Sequence, residues 1–446
     1  MFNKKKVVVI GAGVSGKSAV SLLCQLGAKV YIYDDDKQRA QQLADESGAI
    51  FLDSGDYPSV ISSADYCVLS PGVSINSNLA VMAQALGVRV IPEIELAYLV
   101  YNHPIIAVTG TNGKSSMVQL LGNLCAKNGL NAQVCGNVGY PFSEVARNGD
   151  GDLAVVETSS FQLESISEFR ASINVVLNVK PDHIDRHGDF NSYFLAKRNI
   201  VKNATQDDVV IVNYDDKYAR QIGENCSGDV YYFSCKTLVK QGVYLDGDDI
   251  IAVISGRRYQ VGKTSDIKDI KTPIENALAL IASGLVMNVS FGLVYSTLRE
   301  FVPMPHTMQK LEVPGKVKYI DDSKGTNISA TLCAINNIDG EIALICGGRT
   351  KGENYAELFG VLPERIVSAV CLGENAEEFS KLAYSLGIKS MVAKDVYDAV
   401  EIASKAVEEK GGTVLFSPAT ASFDNYKNYA ERGDAFINAV FTYAQV

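Results

Sequence analysis

The stretch IIAVTGTNGKSSMVQLL, residues 105–121, sets an apolar run against a glycine turn and then a helical pattern. Such a turn does one kind of chemistry well. Gly110 and Gly113 let the backbone bend so that its N–H groups, Thr111 and Asn112 among them, face phosphate oxygens. The following helix, opening at Ser115 and Ser116, adds its positive end. Lys114 can neutralise terminal phosphates, and Ser115 can place a hydroxyl on Mg²⁺. The spacing departs from the common phosphate loop, which has a glycine where Val108 stands. Glu157 closes the next strong apolar run, LAVVETSS. A carboxylate there either holds a metal opposite the phosphate loop or caps the helix that follows.

Other polar clusters also follow apolar runs. GAGVSG, residues 11–16, with Asp34 ending the next strand, satisfies the dinucleotide fingerprint. Its amides suit any pyrophosphate, so NAD and a nucleotide diphosphate sugar both remain open. DHIDRH, residues 182–187, holds two of the four histidines. His183 and His187 at i, i+4 resemble half a zinc site, but the glutamate of the protease motif and cysteine ligands are missing. A histidine on a second divalent ion or on substrate fits better. Lys197, in YFLAKRNI, reads from spacing alone as a helix-surface lysine. Further on, DSKGTN, GGRTK and SPATASFDNY supply Lys324, Thr326, Lys351, Ser422 and Tyr429, a set that suits a small carboxylate or simply solvated loops.

These clusters need scaffolds. A chain of 446 residues exceeds one core. Its 47% hydrophobic and 21% charged residues are those of an ordinary globular protein. The net charge of −10 argues against nonspecific nucleic-acid binding. No stretch approaches the ~20 apolar residues of a membrane span, and the N-terminal KKKVVVIGAG reads as a buried strand rather than a leader. The nine cysteines are scattered without a CxxC pair, which predicts reduced, buried thiols and a cytoplasmic location. Apolar runs at 6–11, 29–34 and 65–70 alternate with helical patterns, as in a parallel sheet with helices on its faces. A second α/β series starts near 104 and a third after VPMPHTMQ. Between 229 and 263 the alternation around D-G and S-G turns predicts antiparallel hairpins. The expectation is three α/β domains: a Rossmann-like unit over 1–100, a central phosphate-loop unit with added hairpins over 101–303, and a second Rossmann-like unit over 304–446. Ligands belong at the carboxyl ends of the strands.

TGTNGKSS, ETSSFQLE, NVKPDHIDRH, YFLAKRNI, DDSKGTN and SPATASFDNYKNYAERG occur here in the order found in the Mur ligases, which the chain resembles over its full length. SSFQLE, DSKGTN and SPG (70–72) resemble the branch that adds D-glutamate. The resemblance implies an ATP-dependent amide ligase of peptidoglycan precursor synthesis, cytoplasmic and monomeric. It joins D-glutamate to UDP-N-acetylmuramoyl-L-alanine through an acyl phosphate, using ATP and two Mg²⁺ ions. Two cradles then serve two nucleotides. Lys114, Ser115 and Glu157 handle ATP phosphates and the first metal, and His183 ligates the second. Lys197 matches a lysine that is carbamylated in the family. Val14, Ser15, Asp34 and Ser70 line the UDP site, and Asn137, Ser159 and Gln162 contact the muramoyl group. Asn276 touches adenine, Asp322 and Lys324 serve the nucleotide, and Thr326, Lys351, Ser422 and Tyr429 receive D-glutamate.

Two departures touch nucleotide binding. The family's P-H-R reads Pro305-His306-Thr307 here, with Lys310 as the nearest replacement cation. Its H-N-x-x-N keeps only the last asparagine, Asn276. Competing readings are a nicotinamide oxidoreductase built on GAGVSG, a noncatalytic nucleotide sensor, and a Mur ligase that adds another amino acid.

Overall fold

The computed structural model describes residues 1–361 and 364–445. The last residue of the expected third domain, 446, lies outside them. Among the described residues twenty strands form three sheets. In the first, β1 (Lys6–Ile10), β2 (Lys29–Tyr33), β3 (Ile50–Phe51), β4 (Tyr66–Leu69) and β5 (Arg89–Pro92) are ordered 3-2-1-4-5 and all parallel. The second contains β6 (Ile105–Thr109), β7 (Ala132–Gly136), β8 (Leu153–Glu157), β9 (Ile173–Val176), β10 (Val209–Asn213), β11 (Asp229–Ser234), β12 (Gly242–Asp246), β13 (Asp249–Ile254) and β14 (Arg257–Lys263). Their order is 14-13-12-11-10-9-6-8-7. The third, from β15 (Gln309–Leu311), β16 (Lys318–Asp321), β17 (Ile342–Cys346), β18 (Ile366–Cys371), β19 (Ser390–Val392) and β20 (Thr413–Phe416), has the order 15-16-20-17-18-19. Only β15 is antiparallel there. The parallel α/β architecture expected from the sequence is therefore present.

The strand sequences explain their place. IIAVT in β6 and IALIC in β17 are buried at every position, as strands covered by helices on both faces must be. Helix Lys114–Lys127 lays Met117, Val118, Leu120, Leu121 and Leu124 into the central core, beside the almost wholly buried helix Ile274–Val286.

The antiparallel hairpins expected around the D-G and S-G turns are present as β12–β13 and β13–β14. β11 pairs with β12 in parallel, because the chain crosses over between Lys236 and Gln241 before Gly242, at φ +125°, sits against the Tyr232 backbone where no Cβ fits. The cysteines are all free, but Cys333 is exposed and Cys24, Cys226 and Cys235 are half-buried, so burial is not general. Among the described residues no helix is long and apolar enough to cross a membrane.

Two compact units divide the chain. Met1–Val179 with Phe194–Val302 holds the first two sheets; Lys180–Tyr193 with Pro303–Val446 holds the third.

Candidate active site

In the first unit the phosphate loop leaves β6, which lies between β9 and β8, in register with Val108 opposite Val175 on one side and Glu157 on the other. Gly113, at φ +86°, starts the helix Lys114–Lys127, and a Cβ there would lie 2.8 Å from Asn276 Oδ1. Asn276 is buried, donating to the Gly113 carbonyl at 3.4 Å, so it braces the loop from behind. Asn178 splints the front. Its backbone carbonyl accepts from Thr111 N–H at 2.9 Å, its Oδ1 from Asn112 N–H at 2.9 Å, and its Nδ2 donates to the Asn112 carbonyl at 3.1 Å. Thr111 and Ser115 are buried and Ser116 is half-buried. Lys114 Nζ donates to the carbonyls of Gly110 and Thr111, each at 2.8 Å.

Lys197 overturns the surface reading. It is 2% exposed, and its Nζ donates to the same Gly110 carbonyl at 2.8 Å. Tyr193, Phe194 and Ala196 bury this face of the helix Phe190–Arg198, and the long aliphatic stem carries the ammonium inward to the loop. Spacing could not show this, because a lysine tip reaches well beyond its own helix face.

Glu157, 1% exposed, accepts from Asn137 Nδ2 at 2.9 Å through Oε1, while its buried Oε2 has no hydrogen-bond partner among the described residues. A carboxylate oxygen out of water without a donor calls for a cation. The alternative job, helix capping, is already done by Ser159, whose hydroxyl accepts from Gln162 N–H while Gln162 Oε1 accepts from Ser159 N–H at 3.0 Å. Gln162 Nε2 is buried without a partner, an amide donor left for a ligand. These residues fit Mg²⁺, which takes one or two carboxylates and leaves the rest of its shell to phosphates and water. Among the described residues no group of three or more His, Cys, Asp or Glu could hold a metal by itself.

The GAGVSG turn opens a cleft of 770 Å³ lined by Gly11, Gly13, Val14, Ser15, Asp34, Ser70 and Asn137, among others. It lies at the carboxyl ends of β1 and β4, where the strand order reverses. Ser70 Oγ donates to the Gly11 carbonyl at 2.9 Å. Asp34 Oδ2 accepts from Ala12 N–H at 2.6 Å, and Oδ1 from Asp36 N–H at 2.9 Å and Arg39 Nη2 at 2.7 Å. Burial pushes this carboxyl up, but the Ala12 amide, Arg39 and the Asp36 amide together hold it below the usual range. In a dinucleotide fold the equivalent acid serves ribose hydroxyls; here both oxygens already serve protein donors. Asn137 lines this cleft and also touches Glu157, so the first cradle runs up to the carboxylate beside the second.

In the second unit, loops after β16, β20 and β17, three adjacent strands, carry the remaining candidates. Buried Asp322 accepts from Met308 N–H at 3.1 Å and Ser417 Oγ at 2.8 Å, and burial pushes its carboxyl up to about 7. Lys324 lies over the Tyr429 ring at 5.7 Å. Lys351 is buried in an ion pair with Asp182, which also accepts from Asn327 Nδ2 at 3.2 Å. His183, at φ +54°, places Nε2 3.8 Å from Asp182 Oδ1. Ser422 is buried and Thr326 half-buried. His306 is buried against Asp321, with Nδ1 2.6 Å from Oδ2. Thr307 Oγ1 is buried without a partner among the described residues, and Lys310 stands exposed on β15. Ser115, Glu157 and Lys197 thus belong to the first unit, and His183, Lys324 and Lys351 to the second. Asn178 and Asp182 were not singled out from the sequence, although both lie inside NVKPDHIDRH; their partners are far away along the chain.

Comparison with known proteins finds the Mur ligase middle domain over residues 108–291 and the MurD-like Mur ligase N-terminal domain over 5–92. A curated relative, the UDP-N-acetylmuramoylalanine–D-glutamate ligase of Pelotomaculum thermopropionicum, is 36% identical over 450 residues, covering 99% of this chain and 98% of its own. The chain belongs to the Mur ligase family. The ligase of the same name from Streptococcus mutans is also 36% identical, over 98% of this chain and 97% of its own. Among solved structures, the UDP-N-acetylmuramate–alanine ligase MurC of Thermotoga maritima shares the fold at TM-score 0.58 and 17% identity, covering 98% of this Mur ligase and 100% of MurC. MurF of Thermotoga maritima, solved with ADP, shares it at TM-score 0.55 and 17% identity over 88% of this chain and 92% of MurF. This Mur ligase is therefore an ATP-using enzyme, and nothing supports the oxidoreductase alternative.

Proposed function

We propose that this Mur ligase joins D-glutamate to UDP-N-acetylmuramoyl-L-alanine at the expense of ATP. The observation that carries the reading is the pair of nucleotide cradles joined at Asn137, in a chain similar over nearly its whole length to D-glutamate ligases. In this assignment residues 1–100 hold the UDP substrate, 101–303 hold ATP, and 304–446 receive the amino acid.

A carboxylate is a poor electrophile. The alanyl carboxylate attacks the γ-phosphorus of ATP, its oxygen bonds to phosphorus as the bond to ADP breaks, and an acyl phosphate forms. The amine of D-glutamate then adds to the carbonyl carbon, and the tetrahedral intermediate collapses to an amide, expelling phosphate. Two anions must meet, so positive charge has to be in place beforehand. Lys114 faces the phosphates in a loop that Asn178 and Asn276 hold in shape; the Thr111 and Asn112 amides, expected from the sequence to face phosphate, are spent on Asn178, so the contacts fall to the Lys114 ammonium and the helix N-terminus. Ser115 and Glu157 would hold one Mg²⁺ and His183 a second, and such ions would supply charge neutralisation on the phosphoryl oxygens. Gln162 and Asn137 orient the muramoyl group. In the third sheet Lys351, Thr326, Ser422 and Tyr429 take D-glutamate, and Asp322 and Lys324 serve the nucleotide.

Phosphate release measured with each amino acid in turn tests the assignment. Release requires both UDP-N-acetylmuramoyl-alanine and D-glutamate; faster turnover with L-glutamate or a diamino acid removes D-glutamate as the substrate.

Thr307 stands where the family has arginine, and an exposed lysine on β15 is a point charge rather than a planar fork. Thr307→Arg is expected to lower the KM for ATP roughly tenfold, the scale of a charge-assisted hydrogen bond. An unchanged KM in the folded variant counts against a phosphate role for that position.

A further inference from the structure

Arg432 is 3% exposed, in the first turn of the helix Tyr429–Tyr443. Its guanidinium is spread over neighbouring loops. Nε donates to Ser323 Oγ at 3.1 Å and Nη2 to the Ser323 carbonyl at 2.9 Å. Nη1 donates to the carbonyls of Thr420 and Ala421, each at 3.1 Å, and Nη2 also reaches Thr420 O at 3.1 Å. Ser323 Oγ in turn donates to the Tyr429 carbonyl at 2.7 Å. The third loop is tied in as well. Arg349 and Ala421 exchange both backbone hydrogen bonds, at 3.1 and 2.9 Å, and a Cβ on Gly348 would stand 3.3 Å from Nη1.

Ser323 lies in the loop of Asp322, Lys324 and Thr326. Thr420 and Ala421 immediately precede Ser422. Gly348 and Arg349 lead to Lys351. The guanidinium therefore sits at the hub of the loops assigned above to the amino acid. Its acceptors are carbonyls and a hydroxyl, and no carboxylate is hydrogen-bonded to it among the described residues. Burial lowers its pKa to about 10, with Asp424, Tyr426 and Asp321 opposing, so it remains a cation at neutral pH. Five donors in a rigid plane can serve three carbonyls at once, which a lysine cannot.

We propose that Arg432 is a positioning residue for the amino-acid substrate, fixing the spacing between the loops that carry Thr326, Lys351 and Ser422. The proposal rests on the reading of those loops as the amino-acid site.

Arg432→Lys keeps the charge and loses the fork. In steady-state assays of the full chain, the KM for the amino acid rises on the order of tenfold to a hundredfold, the cost of displacing binding groups by about an ångström. The KM for the UDP substrate stays near wild type. A residue that only held the fold together would shift the melting temperature and the active fraction and leave the amino-acid KM untouched. A folded Arg432→Lys enzyme with wild-type KM for the amino acid overturns the proposal. Should that variant not fold, Ser323→Ala decides, since it removes only the hydroxyl shared by Arg432 and the Tyr429 carbonyl: a raised amino-acid KM supports the hub, and an unchanged one overturns it. A wild type that uses an amino acid other than D-glutamate defeats the substrate assignment and not the hub, which is then read with that amino acid.

Discussion

Lys114→Met is expected to leave a folded protein that binds the UDP substrate and releases phosphate at least about 10³-fold more slowly than wild type. On the reading proposed above, the ammonium is the cation the loop supplies to the terminal phosphates, and it contributes most when negative charge moves during transfer. Methionine keeps the aliphatic stem and removes the donor. Its two hydrogen bonds, to the Gly110 and Thr111 carbonyls, are lost, which costs about 1–3 kcal/mol and lowers the melting temperature by a few degrees at most for a chain of this size. The cleft at Gly11, Asp34 and Ser70 is built from other elements, so calorimetric titration with the UDP substrate is expected to give an unchanged dissociation constant. The outcome separates the two cradles. If the triphosphate worked at the GAGVSG turn, the substitution would be nearly silent in turnover and would leave nucleotide binding intact; that result removes the assignment of ATP to the later loop.

What was legible in the sequence, and what was not, follows from how far each interaction reaches along the chain. The phosphate loop could be read because a strand, a glycine turn and a helix lie within seventeen residues, and each glycine answers a local backbone need. The parallel cores of the three sheets were legible for the same reason: runs such as VVVI and IALIC are apolar throughout and end in Gly, Asp or Ser. Asn178 was not, since its partners Thr111 and Asn112 are sixty-odd residues away and an asparagine after a strand has many uses. Asp34 was legible as a ligand-facing acid, but its commitment to Ala12, Asp36 and Arg39 emerges only when the loop and helix close around it. Arg432, in the helix after the SPATAS loop, carries no spacing signal at all, because its role is to join loops whose positions depend on the strand order of the third sheet. The parallel pairing of β11 with β12 was not legible for a related reason. Alternation identifies strands, and the direction of their pairing depends on the crossover between them.

Lys197→Met is expected to lower turnover by roughly 10²–10³-fold while changing the KM for the UDP substrate little. The side chain is buried to 2% exposure and ends on the Gly110 carbonyl, which Lys114 also contacts, so whatever charge it bears is delivered to the phosphate loop. As an ammonium it adds a second cation there. As a carbamate, formed when the neutral amine adds to carbon dioxide and releases a proton, it presents an anion instead, which suits a metal ligand and not a phosphate partner. The two states predict opposite results. With a carbamate, ¹³C-labelled bicarbonate gives the wild type a carbonyl resonance that is missing from Lys197→Met, and Lys197→Arg is as inactive as Lys197→Met. With an ammonium, no such resonance appears, and Lys197→Arg keeps most of the turnover because the guanidinium preserves the charge. The resemblance to the family favours the carbamate. A Lys197→Arg enzyme of near wild-type rate would reverse that choice and point instead to attraction between a buried cation and the triphosphate.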